Sequence, residues 1–92
     1  MPVDFAQLIE KIRAHLAEGG ELVLRRPTDF LVACRTRGRA YAIFGYPSER
    51  AAGNDDENEL FSQPAVGLGQ LLWRMEELAD DAEGGLAAWE VG

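Results

Sequence analysis

Residues 21–46 read ELVLRRPTDFLVACRTRGRAYAIFGY. They hold three apolar runs, ELVLRR (21–26), FLVACR (30–35) and RAYAIFGY (39–46), separated by Pro27-Thr28-Asp29 and Thr36-Arg37-Gly38. Branched and aromatic side chains fill the runs, and the gaps carry residues that favour turns. The pattern predicts three antiparallel strands, the last two joined as a hairpin. A period of two then sorts the side chains onto two faces. Leu22, Leu24, Phe30, Val32, Cys34, Ala40, Ala42, Phe44 and Tyr46 are expected beneath the helices. Val23, Arg25, Leu31, Ala33, Arg35, Arg39, Tyr41 and Ile43 are expected on the other face. An apolar centre ringed by arginines marks an interaction site when left bare. Leu31, Arg35, Arg39, Tyr41 and Ile43 are therefore expected to be covered, either by a second copy of the chain in a homodimer or by the loop that follows.

Helical periodicity brackets this block. Phe5, Leu8, Ile9, Ile12 and Leu16 repeat at the spacing of one helix face, which predicts a helix over 4–18. Asp4 with Gln7 resembles a capping box, and Gly19-Gly20 supplies the stop. A second helix is predicted over 65–83, with Leu68, Leu71, Leu72, Met75, Leu78, Ala79 and Ala82 on its apolar stripe. Gly84-Gly85 ends it, and LAAWEV (86–91) is expected to be a last strand. Pro47 to Gln63 has the composition of a loop, with a short extra strand over 60–66 as an option. The order α-β-β-β-α-β implies an α+β fold: one small domain over 1–92, an antiparallel sheet and two helices on one face.

The chain has 92 residues, one cysteine, nine Lys or Arg and sixteen Asp or Glu, for a net charge of −7. A lone cysteine leaves no internal disulfide and no multi-cysteine metal site. The longest apolar runs are too short to span a bilayer, and Met1-Pro2-Val3-Asp4 does not open a signal peptide, so the cytoplasm is the expected compartment. Charge is unevenly placed. Residues 11–50 carry eight Lys or Arg against four acids, whereas residues 51–92 carry ten acids against Arg74 alone. A field of this sign repels nucleic acids and anionic membranes and attracts basic partners.

The acidic half contains the run Asn54-Asp55-Asp56-Glu57-Asn58-Glu59. It is not a calcium loop of the EF-hand kind: counted from Asp55, the sixth position is Leu60 rather than Gly and the twelfth is Gly67 rather than Glu. Two readings stand, a solvated loop and a carboxylate array addressed to a basic partner. The second helix adds Glu76, Glu77, Asp80, Asp81 and Glu83, with Trp73 one turn before the first two. An exposed tryptophan among acids marks an interface, because tryptophan is enriched in binding hot spots; alternatively the 47–63 loop folds back over it. The expected partner-binding residues are thus Asp55, Asp56, Glu57, Glu59, Trp73, Glu76, Glu77, Asp80 and Asp81. Ser48 and Ser62 have no histidine at a recognisable spacing, His15 has no second ligand for a metal, and no phosphate loop is present. The sequence carries no catalytic residue, metal site or cofactor motif.

RGRAYAIF (37–44) partly resembles the RNP1 motif of RNA-recognition domains, matching it at Arg37, Gly38, Ala40, Tyr41 and Phe44. Arg39 stands where that family has a stacking aromatic, Ala42 replaces its valine, and the chain begins with a helix where the family has a first strand. The resemblance implies a nucleic-acid-binding sheet face bearing Tyr41 and Arg39. The order of elements is also similar to that of small acidic secretion chaperones, although no motif carries the likeness. The functional expectation is a non-enzymatic acidic protein that inhibits, neutralises or chaperones a basic protein, in its most specific form by imitating nucleic-acid phosphates. Direct nucleic-acid binding is the alternative.

Overall fold

The computed structural model describes residues 4–38, 40–53, 59–80, 82 and 84–92. Helix α1 (Phe5–Ala17) leads into strands β1 (Glu21–Arg25), β2 (Phe30–Arg35) and β3 (Tyr41–Tyr46). A short helix α2 (Glu49–Gly53), strand β4 (Phe61–Ala65), helix α3 (Leu68–Leu78), a 3₁₀ turn (Gly85–Ala88) and strand β5 (Glu90–Val91) complete the chain. The five strands form one antiparallel sheet in the order β4-β3-β2-β1-β5. The expected α+β architecture is present, with α1 and α3 over one face. The short helix α2, inside the segment expected to be a loop, lies on the other.

Turn length decides which residues face α1 and α3. Four residues, Arg26 to Asp29, separate the paired ends Arg25 and Phe30, and Arg26 N–H donates to the Asp29 carbonyl at 2.9 Å. An even count pairs even positions of β1 with odd positions of β2, so Leu22 lies opposite Ala33 and Leu24 opposite Leu31. The β2–β3 connection has five residues, Thr36 to Ala40, and keeps parity: Ala33 lies opposite Ile43 and Val32 opposite Phe44. The expected two faces are therefore exchanged from β2 onward. Leu22 and Leu24 join Leu31, Ala33 and Ile43 under the helices, while Val23 joins Phe30, Val32 and Tyr46 on the outer face. A one-residue change of register moves every side chain of a strand across the sheet.

The core between sheet and helices centres on Leu16, Leu31, Ile43, Leu71 and Met75, all fully buried. Each such side chain contributes about 1.5–3 kcal/mol through its removal from water. The apolar stripe packs as expected, with Leu71 and Met75 buried and Leu68, Leu72 and Leu78 against the same core. Helix α3 is shorter than the expected 65–83, so Ala79 and Ala82 meet the core from beyond its end. The α1 stripe is shorter: Ile12 and Leu16 are buried, but Phe5 at the first turn is 58% exposed. Asp4 caps α1, its Oδ1 accepting Ala6 N–H at 2.9 Å. His15 closes the other end, where Nε2–H donates to the Glu21 carbonyl at 2.9 Å; a side chain at Gly20 would collide with this ring.

The C-terminal segment differs from its expected form. In place of a strand over 86–91, the chain makes the 3₁₀ turn Gly85–Ala88 and then two residues of β5. With about three residues per turn, Leu86 and Trp89 point the same way, and both are buried in the main core. A strand would send them to opposite faces. Gly84, at φ 94°, makes the left-handed bend that starts this turn. Residues 61–65, the optional strand, do form β4. There the Phe61 ring lies across Gly45, where a Cβ would collide with it.

Arginines fasten the edges. Arg26 and Asp29 form a two-pronged pair, Nε to Oδ1 and Nη2 to Oδ2, both 2.6 Å, and Arg26 Nη1 donates to the Leu78 carbonyl at 3.2 Å. The β1–β2 turn thereby satisfies a carbonyl at the C-terminal end of α3, where a cation is also favoured by the helix dipole. No helix among the described residues is long and apolar enough to cross a membrane.

Candidate functional site

The outward side of α3 is where the structure gathers most of the described acidic candidates. Trp73, Glu76 and Glu77, spaced by three and four residues, share one face of α3, and Asp80, just past its end, lines the same cleft. The opposite face, with Leu71 and Met75, is committed to the core. Amphipathicity alone thus turns the acids outward. It turns Trp73 outward too, because position 73 falls between the buried positions 71 and 75. Trp73 is 64% exposed. The expectation that the 47–63 segment covers it is not met by the described residues, since α2 packs on the far face of the sheet, against Phe30 and Tyr46.

Two clefts meet at this indole. One, of about 440 Å³, is lined by Trp73, Glu76, Glu77 and Asp80. The other, of about 370 Å³, lies toward β4 and is lined by Gln63, Trp73, Arg74, Glu77 and Leu78. The ion pairs among the described residues involve Arg13, Arg25 and Arg26, and none includes Glu76, Glu77 or Asp80. The neighbouring cation does not serve them. Arg74 Nη1 reaches Gln63 Oε1 at 3.5 Å, and Arg74 Nε is buried without a partner. The result is an apolar plate bordered by unpaired carboxylates. Such a surface can stack an aromatic or a guanidinium and neutralise a positive charge.

Glu59 stands half-buried ahead of β4 and lines neither cleft. Asp55, Asp56, Glu57 and Asp81, expected at the same surface, lie outside the described residues. The expected self-association face is not a surface. Leu31 and Ile43 are 0% exposed beneath the helices, and Tyr41 packs half-buried against the same core. Arg35 is exposed, with Nε donating to the Gly38 carbonyl at 2.7 Å, and Arg39 lies outside the described residues. The even-length β1–β2 turn is the cause. What the 47–63 segment does cover is the outer face, where Ala51 and Ala52 of α2 sit against Val23, Phe30, Val32 and Tyr46.

The same inversion bears on the RNP1-like hairpin. Tyr41 and Ile43 face the helices, so the hairpin does not present Tyr41 on an open sheet for base stacking. Cys34 is on the outer face, half-buried, and burial pushes its thiol pKa up, with Glu21 adding to the effect. A thiol held neutral in this way is a weak nucleophile. Sequence reasoning missed the contribution of β4: Gln63 from this strand shapes the second cleft, a role assigned by sheet order rather than by any local pattern.

Comparison with protein-family models, with curated proteins and with solved structures finds no significant match to this chain.

Proposed function

We propose that this chain is a non-enzymatic binding protein whose α3 face receives a basic segment of another protein and so inhibits, neutralises or chaperones it. One observation carries the reading: Trp73 stands 64% exposed where two clefts meet, beside three carboxylates that no described cation pairs. Exposing so large an aromatic costs solvation, and surrounding it with unpaired like charges costs further repulsion. A partner bearing arginine or lysine relieves both. In the most specific version the carboxylates stand in for nucleic-acid phosphates.

The sheet edges support a side-chain surface over strand addition. Edge strand β4 carries Pro64, which cannot donate to a ladder, and the other edge, β5, has only two residues. Net charge of −7 favours a basic protein over a nucleic acid.

The test is kinetic. A binding protein recovered from the native host and eluted by a salt step is measured against four forms of the chain. Trp73→Ala is expected to speed dissociation about 30-fold, the equivalent of a hot-spot loss of roughly 2 kcal/mol. The combination Glu76→Gln, Glu77→Gln and Asp80→Asn is expected to slow association and flatten its salt dependence. Asp55→Asn, Asp56→Asn and Glu57→Gln together are expected to slow association if the loop belongs to the array. Trp73→Ala should unfold within about 0.5 kcal/mol of the wild type, being an exposed substitution. Unchanged kinetics for Trp73→Ala and the helix triple variant would sink the proposal. Mixed single-stranded RNA is expected to show no detectable binding at physiological salt. Tight RNA binding abolished by Tyr41→Ala would transfer the function to the hairpin.

A further inference from the structure

We infer that α2 is a strap that opens and closes over the outer face of the sheet, with the Arg25 guanidinium as its catch. The face beneath is apolar, built from Val23, Phe30, Val32 and Tyr46. The strap is held to it lightly. Five residues are far fewer than a helix needs to be stable alone, and its apolar contact with the patch comes from Ala51 and Ala52. Its first turn is closed by Ser48, whose hydroxyl accepts Ala51 N–H at 3.1 Å and whose carbonyl accepts Ala52 N–H at 3.2 Å.

A second described tie is ionic. Arg25 Nη2 lies 3.0 Å from Glu49 Oε1 on the strap, and Nη1 of the same guanidinium lies 2.7 Å from Glu90 Oε2 on β5. The guanidinium carbon is 5.7 Å from the centre of the Phe30 ring. One side chain therefore joins the strap, the C-terminal strand and the edge of the apolar patch. The carboxylates raise the Arg25 pKa further above its ordinary value, Glu49 most. All three charged groups are more than half exposed, so salt weakens both pairs. Two consequences follow from this geometry. Strap opening, which bares Phe30 and Tyr46, depends on ionic strength, and losing the catch loosens the strap and β5 together, because both carboxylates lean on one cation. The device is independent of the α3 surface.

Amide exchange by NMR on the full chain tests it. The reporters are Ala51 and Ala52 for the strap and Gly92, whose N–H donates to the Glu21 carbonyl at 3.1 Å, for the C-terminal strand. Arg25→Met keeps an apolar stem over Phe30 and removes both ion pairs. At low salt it is expected to speed exchange at all three amides by about twofold to fivefold, the contribution of an exposed ion pair, while Val32 and Ile43 are unchanged. Raising the wild type to 1 M NaCl is expected to do the same and to leave Arg25→Met unaffected. Unchanged exchange at Ala51 and Ala52 in Arg25→Met would overturn the inference. So would acceleration shared equally by Val32 and Ile43, which would report loosening of the whole fold.

Discussion

Arginine in place of Ile43 is expected to unfold the protein, with loss of the cooperative thermal transition. Ile43 is fully buried where the central strand β3 meets the helices, and it lies between Ala33 and Gln63 on the neighbouring strands. A guanidinium there finds no described acid in the core, since no charged residue is buried among the described residues. The cost of burying an unpaired charge exceeds the roughly 5–15 kcal/mol that holds a domain folded. Ile43→Val is the control, expected to lose about 1 kcal/mol and keep the transition. Circular dichroism melts decide the point. A folded Ile43→Arg variant of altered mass would instead place this residue at an interface between copies.

Trp89→Ala is expected to cost about 3–5 kcal/mol, the range for deleting a buried aromatic. Trp89 is 6% exposed, packed in the main core, and its indole Nε1–H donates to the Met75 carbonyl at 2.9 Å. Met75 O also accepts Ala79 N–H at 3.0 Å, so removing the indole does not orphan that carbonyl. Trp89→Phe then isolates the hydrogen bond and a small loss of volume, and is expected to cost about 1–2 kcal/mol. Denaturant melts of Trp89→Ala and Trp73→Ala make the sharpest contrast in the molecule. These are its only two tryptophans, one of which holds the C-terminal segment on α3 while the other faces solvent. If Trp73→Ala proved as destabilising as Trp89→Ala, Trp73 would be a packing residue and the α3 surface would lose its anchor.

The two tryptophans also show where sequence reasoning reaches its limit. Trp73 was legible because it sits inside a long periodic run: the leucines fix the helix phase, and the phase sends position 73 outward. In sequence Trp89 reads as part of a strand, because LAAWEV lacks a period long enough to choose. Two glycines at positive φ and a three-residue repeat made a 3₁₀ turn of it, and only the pocket beside Met75 favours that choice. Helix α2 was hidden for a similar reason. ERAAG is too short to signal a helix by periodicity, and it becomes one against a sheet face that accepts two alanines.

Composition and periodicity were enough for the α+β class, the two longer helices, the three central strands and the separation of basic and acidic halves. These are local properties: each depends on side chains a few positions apart along one element. Which face of β2 and β3 meets the helices was another matter. It depends on whether the β1–β2 turn spans an odd or an even number of residues, and the observed even turn carries Arg26, whose side chain grips Asp29 and the Leu78 carbonyl. That grip joins residues 52 positions apart, beyond the reach of any local pattern. The even turn puts Leu31 and Ile43 inward and gives the outer face to Phe30, Val32 and Tyr46.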